Sequence, residues 1–243
     1  MVSENHSILS SNLTKKVDFK FYGHYGAALL LFPAITDSPS EYEDNGLIAA
    51  ISGFIKQGKC RVFSVGTVNE ESWFNNSITN EEKSERHLEY NNFVMEELIP
   101  EIYAHCGGPL PIFTAGGGIG AFHAANSYFR RPDVFHGVIA MSGFYNIEYL
   151  SKGYFDSNCY FNSPVHYLPN LTDNYWLSFL LSKKHVYIMS GSGENENPNE
   201  SRHFHEILSA KGIPHQLDVW NEEWNHDWKT WNAMLTKILE TKF

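Results

Sequence analysis

Apolar positions along this chain follow two periods. Val17, Phe19 and Phe21 alternate with polar neighbours, as in a strand covered on one face, whereas Gly26 to Phe32 is a continuous apolar run ending at Pro33, as in a strand covered on both. Arg61 to Val65, Pro111 to Thr114, Gly137 to Met141, His185 to Met189 and His215 to Trp220 read as further strands. Helical spacing runs over Tyr42 to Gln57, stopped by Gly58, and over Glu81 to His105, closed by Cys106-Gly107-Gly108-Pro109. It returns over Ala121 to Arg130, Ser201 to Lys211 and Lys229 to Lys242. Strands alternating with helices predict an α/β fold, a doubly wound, mostly parallel sheet with helices on both faces. The segment Tyr145 to Lys184 has no such period. It is aromatic and rich in Asn and Pro, and its place between two strands predicts an irregular lid or pocket wall over the sheet's carboxyl edge.

Length and charge narrow the picture. The 243 residues suit one domain, 1–243, with no linker that would divide it. A formal net charge of -10, spread along the chain, argues against nucleic acid and anionic membranes as partners and leaves small neutral or cationic ligands and a homo-oligomer open. No run approaches the roughly 20 apolar residues of a membrane span, and the polar start Met1 to Lys16 lacks the apolar region of a signal peptide, so the expected location is cytoplasmic. Cys60, Cys106 and Cys159, odd in number and widely spaced, read as reduced thiols.

The chemistry concentrates at Phe113-Thr114-Ala115-Gly116-Gly117-Gly118-Ile119-Gly120-Ala121. These residues have the frame of a nucleophile elbow, G-x-S-x-G, at a strand-to-helix turn, but Gly118 stands where the serine belongs. An elbow strains its nucleophile's backbone by about 1–3 kcal/mol, and glycine relieves that strain. The exchange thus removes the reactive oxygen while leaving the fold intact. Gly116 and Gly120 are explained by close strand–helix packing. A phosphate-binding reading of the same glycines lacks the Lys-Ser/Thr ending.

Together with this elbow, Leu31-Phe32-Pro33, Glu43-Asp44-Asn45-Gly46, Glu71-Ser72-Trp73, and Arg86, His87 and Tyr90 occur in an order that resembles the α/β-hydrolase fold. So do Tyr160-Phe161-Asn162-Ser163-Pro164, Tyr167-Leu168-Pro169-Asn170 and Asn225-His226-Asp227-Trp228, and the chain looks like a bacterial branch of the Putative esterase (esterase D-like) family. The resemblance implies a triad in the order nucleophile, acid, histidine. It puts Gly118 at the nucleophile position and His226 at the histidine position. The acid falls in Gly191-Ser192-Gly193-Glu194-Asn195-Glu196, with Glu194 preferred, Glu196 as the alternative and Asp227 a poorer third. It also implies an oxyanion hole from the backbone N–H of Ile119 with that of Ala34 or Ile35.

Other residues have plainer readings. His123 is expected to pack beneath the site, and Ser142 to be structural. Trp73, Tyr154, Phe155 and Trp176 form either a pocket wall or core. No cofactor or metal is expected, since His203 and His205 lie two apart on a helix and cannot share a zinc ion with His215 on one face. The expectation is therefore an esterase-like protein with little or no serine-hydrolase activity that binds a small acyl or ester ligand or a protein partner. The other reading is an active serine carboxylesterase or acyl hydrolase in which glycine has replaced the serine. A third reading, in which His226 and its acid partner activate water against a carbonyl held by the Ile119 N–H, would give weak turnover.

Overall fold

A computed structural model describes residues 3–182 and 185–243; the last two residues of the aromatic segment, 183 and 184, lie outside it. Eight strands form one sheet: β1 (Ser3–Ser10), β2 (Lys15–Tyr22), β3 (Ala27–Phe32), β4 (Cys60–Val65), β5 (Ile112–Gly117), β6 (Gly137–Met141), β7 (Val186–Ser190) and β8 (Gln216–Val219). Their order is β1-β2-β4-β3-β5-β6-β7-β8. β1 and β2 form an antiparallel hairpin and β2 meets β4 antiparallel, while every other pair is parallel. The order folds back at β3 and β4, which puts β3 and β5 side by side at the centre.

The double-sided apolar run in β3 shows why helices cover both faces. Leu30 and Phe32 point into one core with Phe63, Tyr90, Phe93, Ala121, Ala124, Tyr128 and Phe204, and Leu29 and Leu31 into the other with Tyr42, Ile48, Met141, Trp231 and Leu235. The first core lies beneath α4 (Asn80–Phe93), α5 (Ile99–Cys106), α6 (Ile119–Arg130) and α11 (Pro198–Ala210). The second lies beneath α1 (Glu41–Asp44), α2 (Leu47–Ala50), α3 (Ser52–Lys56) and α12 (Trp228–Lys242).

Several elements depart from the sequence expectation for local reasons. The helix expected over Tyr42 to Gln57 is broken into α1, α2 and α3: Gly46 takes a left-handed φ of 82° between the first two, and Ile51, at φ -92° and ψ 4°, divides the second from the third. The long helix through Glu81 to His105 is interrupted by a π-helical turn, Val94–Leu98, just ahead of Pro100 near the start of α5. β1 is an additional strand, polar enough to escape a hydrophobic period because it forms the sheet edge. The aromatic segment is not irregular. It carries α7 (Glu148–Ser151), α8 (Ser157–Phe161), α9 (Pro164–Asn170) and α10 (Asn174–Ser182), each too short for periodicity to register.

Between α4 and α6 lies a buried pair of imidazoles. His87 and His123 stack edge to face with centroids 5.4 Å apart. His123 Nε2 lies 2.8 Å from Asn69 Oδ1, and neither His87 nitrogen has a partner among the described residues. Burial holds both rings neutral, the His87 pKa well below its usual value and that of His123 down to about 4. The unfolded chain takes up a proton at each near pH 6.5 and the folded chain only near pH 4 or lower, so stability is lost as pH falls through that interval. Unfolding at pH 7 and 5 should differ by about 2 kcal/mol from His123 alone, and His123→Gln should lose that share of the difference. An imidazole signal of His123 that titrates near 6.5 in NMR would contradict this.

Candidate active site

One residue separates β5 from α6. Gly118 adopts φ 53°, ψ -122°, the turn that lifts a nucleophile above the sheet and that a residue bearing a Cβ holds only under strain. Its flanking glycines are fixed by contact. A Cβ on Gly120 would sit 2.1 Å from the Phe32 carbonyl oxygen, and one on Gly116 2.3 Å from the Gly120 carbonyl carbon, so these two let α6 seat directly on β3 and β5. A Cβ on Gly117 would lie 2.7 Å from the Trp231 indole. At Gly118 there is more room. A Cβ there would be 3.0 Å from the Ala34 carbonyl oxygen and 3.5 Å from His226 Nε2. Position 118 therefore still points at the histidine, and an oxygen on that Cβ would come within hydrogen-bonding reach of the imidazole.

His226 lies in the loop between β8 and α12, its backbone N–H bonded to the Glu194 carbonyl at 3.0 Å and its ring edge-on to Trp231 with centroids 5.1 Å apart. Asp227 is occupied elsewhere, its carboxylate accepting from the Thr230 N–H at 2.9 Å as the N-cap of α12.

The two acid candidates separate clearly. Glu194 is exposed, and it meets His226 only through its backbone oxygen. Glu196, the second candidate, turns inward instead. Its side chain is 1 % exposed, with Oε2 3.8 Å from His226 Nδ1. That separation is an ion-pair distance longer than a hydrogen bond, of the looseness common in unliganded sites. Ser142 Oγ donates to Oε1 at 2.5 Å and Ser190 Oγ to Oε2 at 3.1 Å. Burial pushes the Glu196 carboxyl up, but His226 and the two serines outweigh it and hold the pKa below the usual carboxylate range. The structure thus brings the carboxylate of Glu196, and not that of the preferred Glu194, to His226: the chain turns between Gly193 and Glu196, whose N–H bonds back to the Gly193 carbonyl at 3.2 Å. Ser142, with a left-handed φ of 51°, holds this acid in place.

The oxyanion donors also differ from expectation. The N–H groups of Ala34, Ile35 and Thr36 all bond to the carboxylate of Glu41, at 3.1, 3.0 and 3.2 Å. Glu41 is 5 % exposed, and burial raises its pKa against the opposing pull of those N–H groups. Ala34 and Ile35 are therefore not free to hold a substrate oxygen, and the carbonyl of Ala34 faces position 118 instead. Ile119 at the start of α6 keeps an N–H that takes no acceptor among the described residues.

Sequence reading missed three residues that shape the site: Glu41, Trp231 and Tyr42. The Tyr42 hydroxyl donates to the Phe32 carbonyl at 2.8 Å and accepts from the Gly117 N–H at 3.0 Å, tying the ends of β3 and β5 together. Each looks in sequence like a helix residue with no partner. Of the histidines set aside for zinc, His205 Nδ1 and His215 Nε2 do meet, at 2.7 Å, while His203 is paired with Glu206 at 3.9 Å. A separate group, Glu4, His6 and His105, brings one ligand atom each within 4.8 Å of one another at the β1 edge, away from the elbow. Trp73 belongs to a small core with Phe122, Ile147 and Cys159 against which Tyr154 packs, and Phe155 is exposed.

A strand-to-helix elbow beside β3, followed by a buried acid after β7 and a histidine after β8, is the layout of an α/β-hydrolase. Solved structures agree on the fold. A ferulic acid esterase superposes with a TM-score of 0.74 at 19% identity, covering 98% of this chain and 96% of its own. An S-formylglutathione hydrolase from Agrobacterium tumefaciens gives 0.75 at 14% identity, with 98% and 93% covered. MPT51 of Mycobacterium tuberculosis gives 0.74 at 16%, with 99% and 97% covered. No curated protein matches by sequence. The family profile described as Putative esterase matches residues 42–241, and the chain belongs to that family. No helix among the described residues is long and apolar enough to cross a membrane.

Two substitutions test this geometry. Gly118→Ala should cost about 1–3 kcal/mol, from the positive φ and the Ala34 carbonyl. Gly120→Ala meets backbone at 2.1 Å and should cost more, which thermal melts of the two variants will rank. In a Gly118→Ser background, Glu196→Gln should lower kcat by about 10²–10⁴-fold and Glu194→Gln by less than about threefold; the reverse ranking would return the acid to Glu194.

Proposed function

We propose that this protein is an esterase-family scaffold that no longer forms an acyl-enzyme and instead binds a small acyl or ester-like ligand reversibly at the elbow. One observation carries the reading: position 118 has the backbone angles of an elbow nucleophile, and a Cβ there would lie 3.5 Å from His226 Nε2, yet the oxygen is lacking. The proton that His226 would accept does not exist without that oxygen. The Ile119 N–H remains to receive a carbonyl or carboxylate oxygen, but Glu41 holds its expected partners, and losing one such donor lowers turnover by about 10²–10³-fold.

The packing of Trp231 on Gly117 favours drift over a single designed change. An elbow with a side chain at 117 cannot accept that indole position, so Trp231 and Gly117 fit as a pair. A second reading has support in the exposure of His226, whose side chain is one third open to solvent with Glu196 behind it. Water at that nitrogen could be activated directly, giving slow hydrolysis without a covalent stage.

Gly118→Ser should gain slow but measurable hydrolysis of p-nitrophenyl acetate or butyrate, and Gly118→Ser/His226→Ala should remove it. The unmodified chain should stay within about tenfold of background. A folded Gly118→Ser variant with no gain would sink the claim that the elbow and His226 retain catalytic alignment. Hydrolysis by the unmodified chain that His226→Ala abolishes would favour the direct water reading.

A further inference from the structure

We propose that a cavity at the far end of α6 is a second ligand site, which takes a small aromatic carboxylate. The cavity has a volume of about 310 Å³ and is walled by Phe129, Tyr160, Tyr167, Leu171 and Trp176, with Arg130 among its lining residues. A volume of this size, mostly apolar with a few polar groups, is that of a small-molecule pocket. α6 runs twelve residues from the elbow to Arg130, about 18 Å, so this space is distinct from the surroundings of Gly118.

Arg130 and Tyr167 give the cavity its chemistry. Among the described residues Arg130 forms no ion pair, whereas Arg86 pairs with Glu71 and Glu89, and Arg131 with Asp133. Its one hydrogen bond runs from Nη1 to Asn162 Oδ1 at 2.8 Å, which leaves most of the five guanidinium N–H donors unused. That bond is not needed to hold the fold, because Asn91 and Asn126 donate to the same oxygen at 2.7 and 2.8 Å. The Tyr167 hydroxyl is buried and has no partner among the described residues. It lies close enough to Arg130 for the guanidinium to oppose the rise that burial gives its pKa. A cation without a counter-ion and a phenol without a partner thus line one aromatic-walled cavity.

The donor set selects the ligand class. A planar guanidinium matches a carboxylate bidentately, and the phenol supplies one more donor. A phosphate dianion would need a second cation, and the two close by are engaged, Arg131 with Asp133 at 2.8 Å and Lys211 with the Leu171 carbonyl at 2.9 Å. The flat walls favour an aromatic body over an aliphatic chain.

The test is calorimetric titration of the full chain with trans-cinnamate at neutral pH, with cinnamamide and inorganic phosphate as comparison ligands. Cinnamate should bind with a Kd below about 1 mM, and cinnamamide at least about tenfold more weakly. Arg130→Gln should weaken cinnamate by about tenfold or more, and Tyr167→Phe and Trp176→Leu by about threefold or more each. His226→Ala should leave the affinity unchanged, which separates this site from the elbow. No binding at about 5 mM cinnamate, or an unchanged Kd in Arg130→Gln, overturns the proposal. So does loss of binding in His226→Ala, or inorganic phosphate displacing cinnamate with a Kd equal to or below that of cinnamate itself. Should Arg130→Gln fail to fold, Tyr167→Phe, Trp176→Leu and the cinnamate-to-cinnamamide ratio decide the matter.

Discussion

Everything at the elbow follows from how closely α6 descends onto the ends of β3 and β5. With the Phe32 carbonyl 2.1 Å from where a Cβ on Gly120 would stand, that seat is available only to glycine. Gly116 faces the same restriction from Gly120 itself. Once the helix is seated, the chain has a single residue in which to reverse from strand to helix, and Gly118 must take its positive φ. Tyr42 braces the arrangement from the other face by joining the Phe32 carbonyl to the Gly117 N–H. The angle of the elbow is therefore set by backbone packing and does not depend on the residue that occupies it.

Around this turn, polar groups are satisfied in ways that favour permanence over reactivity. Glu41 fills the row of N–H groups after β3, while Ser142 and Ser190 fix both oxygens of Glu196. Buried carboxylates survive only when hydrogen-bonded in this way. The first of these arrangements occupies N–H groups that were expected to face a substrate oxygen. The second keeps an acid ionised behind the histidine, and so the two have opposite consequences for chemistry at the same centre.

The parts of the molecule that could be read from sequence are those fixed by period or by a covalently contiguous motif. The central strands were legible because burial on both faces makes them continuous apolar runs, as in Ala27–Phe32. The elbow and the place of His226 were legible because the motif is local. Which carboxylate reaches His226 was not, since Glu194 and Glu196 differ only in which way a loop turns, and that is decided by Ser142, just after β6, and Ser190, at the end of β7. Glu41 was invisible for the same reason: nothing in Ser40-Glu41-Tyr42 tells that its carboxylate folds back onto Ala34, Ile35 and Thr36. The break at Gly46 shows a related limit. A helical period continued through it, and only the left-handed φ revealed the interruption.

An elbow that carries glycine also changes the timescale on which the site can operate. A serine there would trap part of its ligand in a covalent bond and release it at the rate of a second reaction. With no side chain at Gly118, residence of the ligand proposed above would depend on dissociation alone, and occupancy would track the free ligand concentration in both directions. Electrophiles that capture catalytic serines would find no oxygen at this turn.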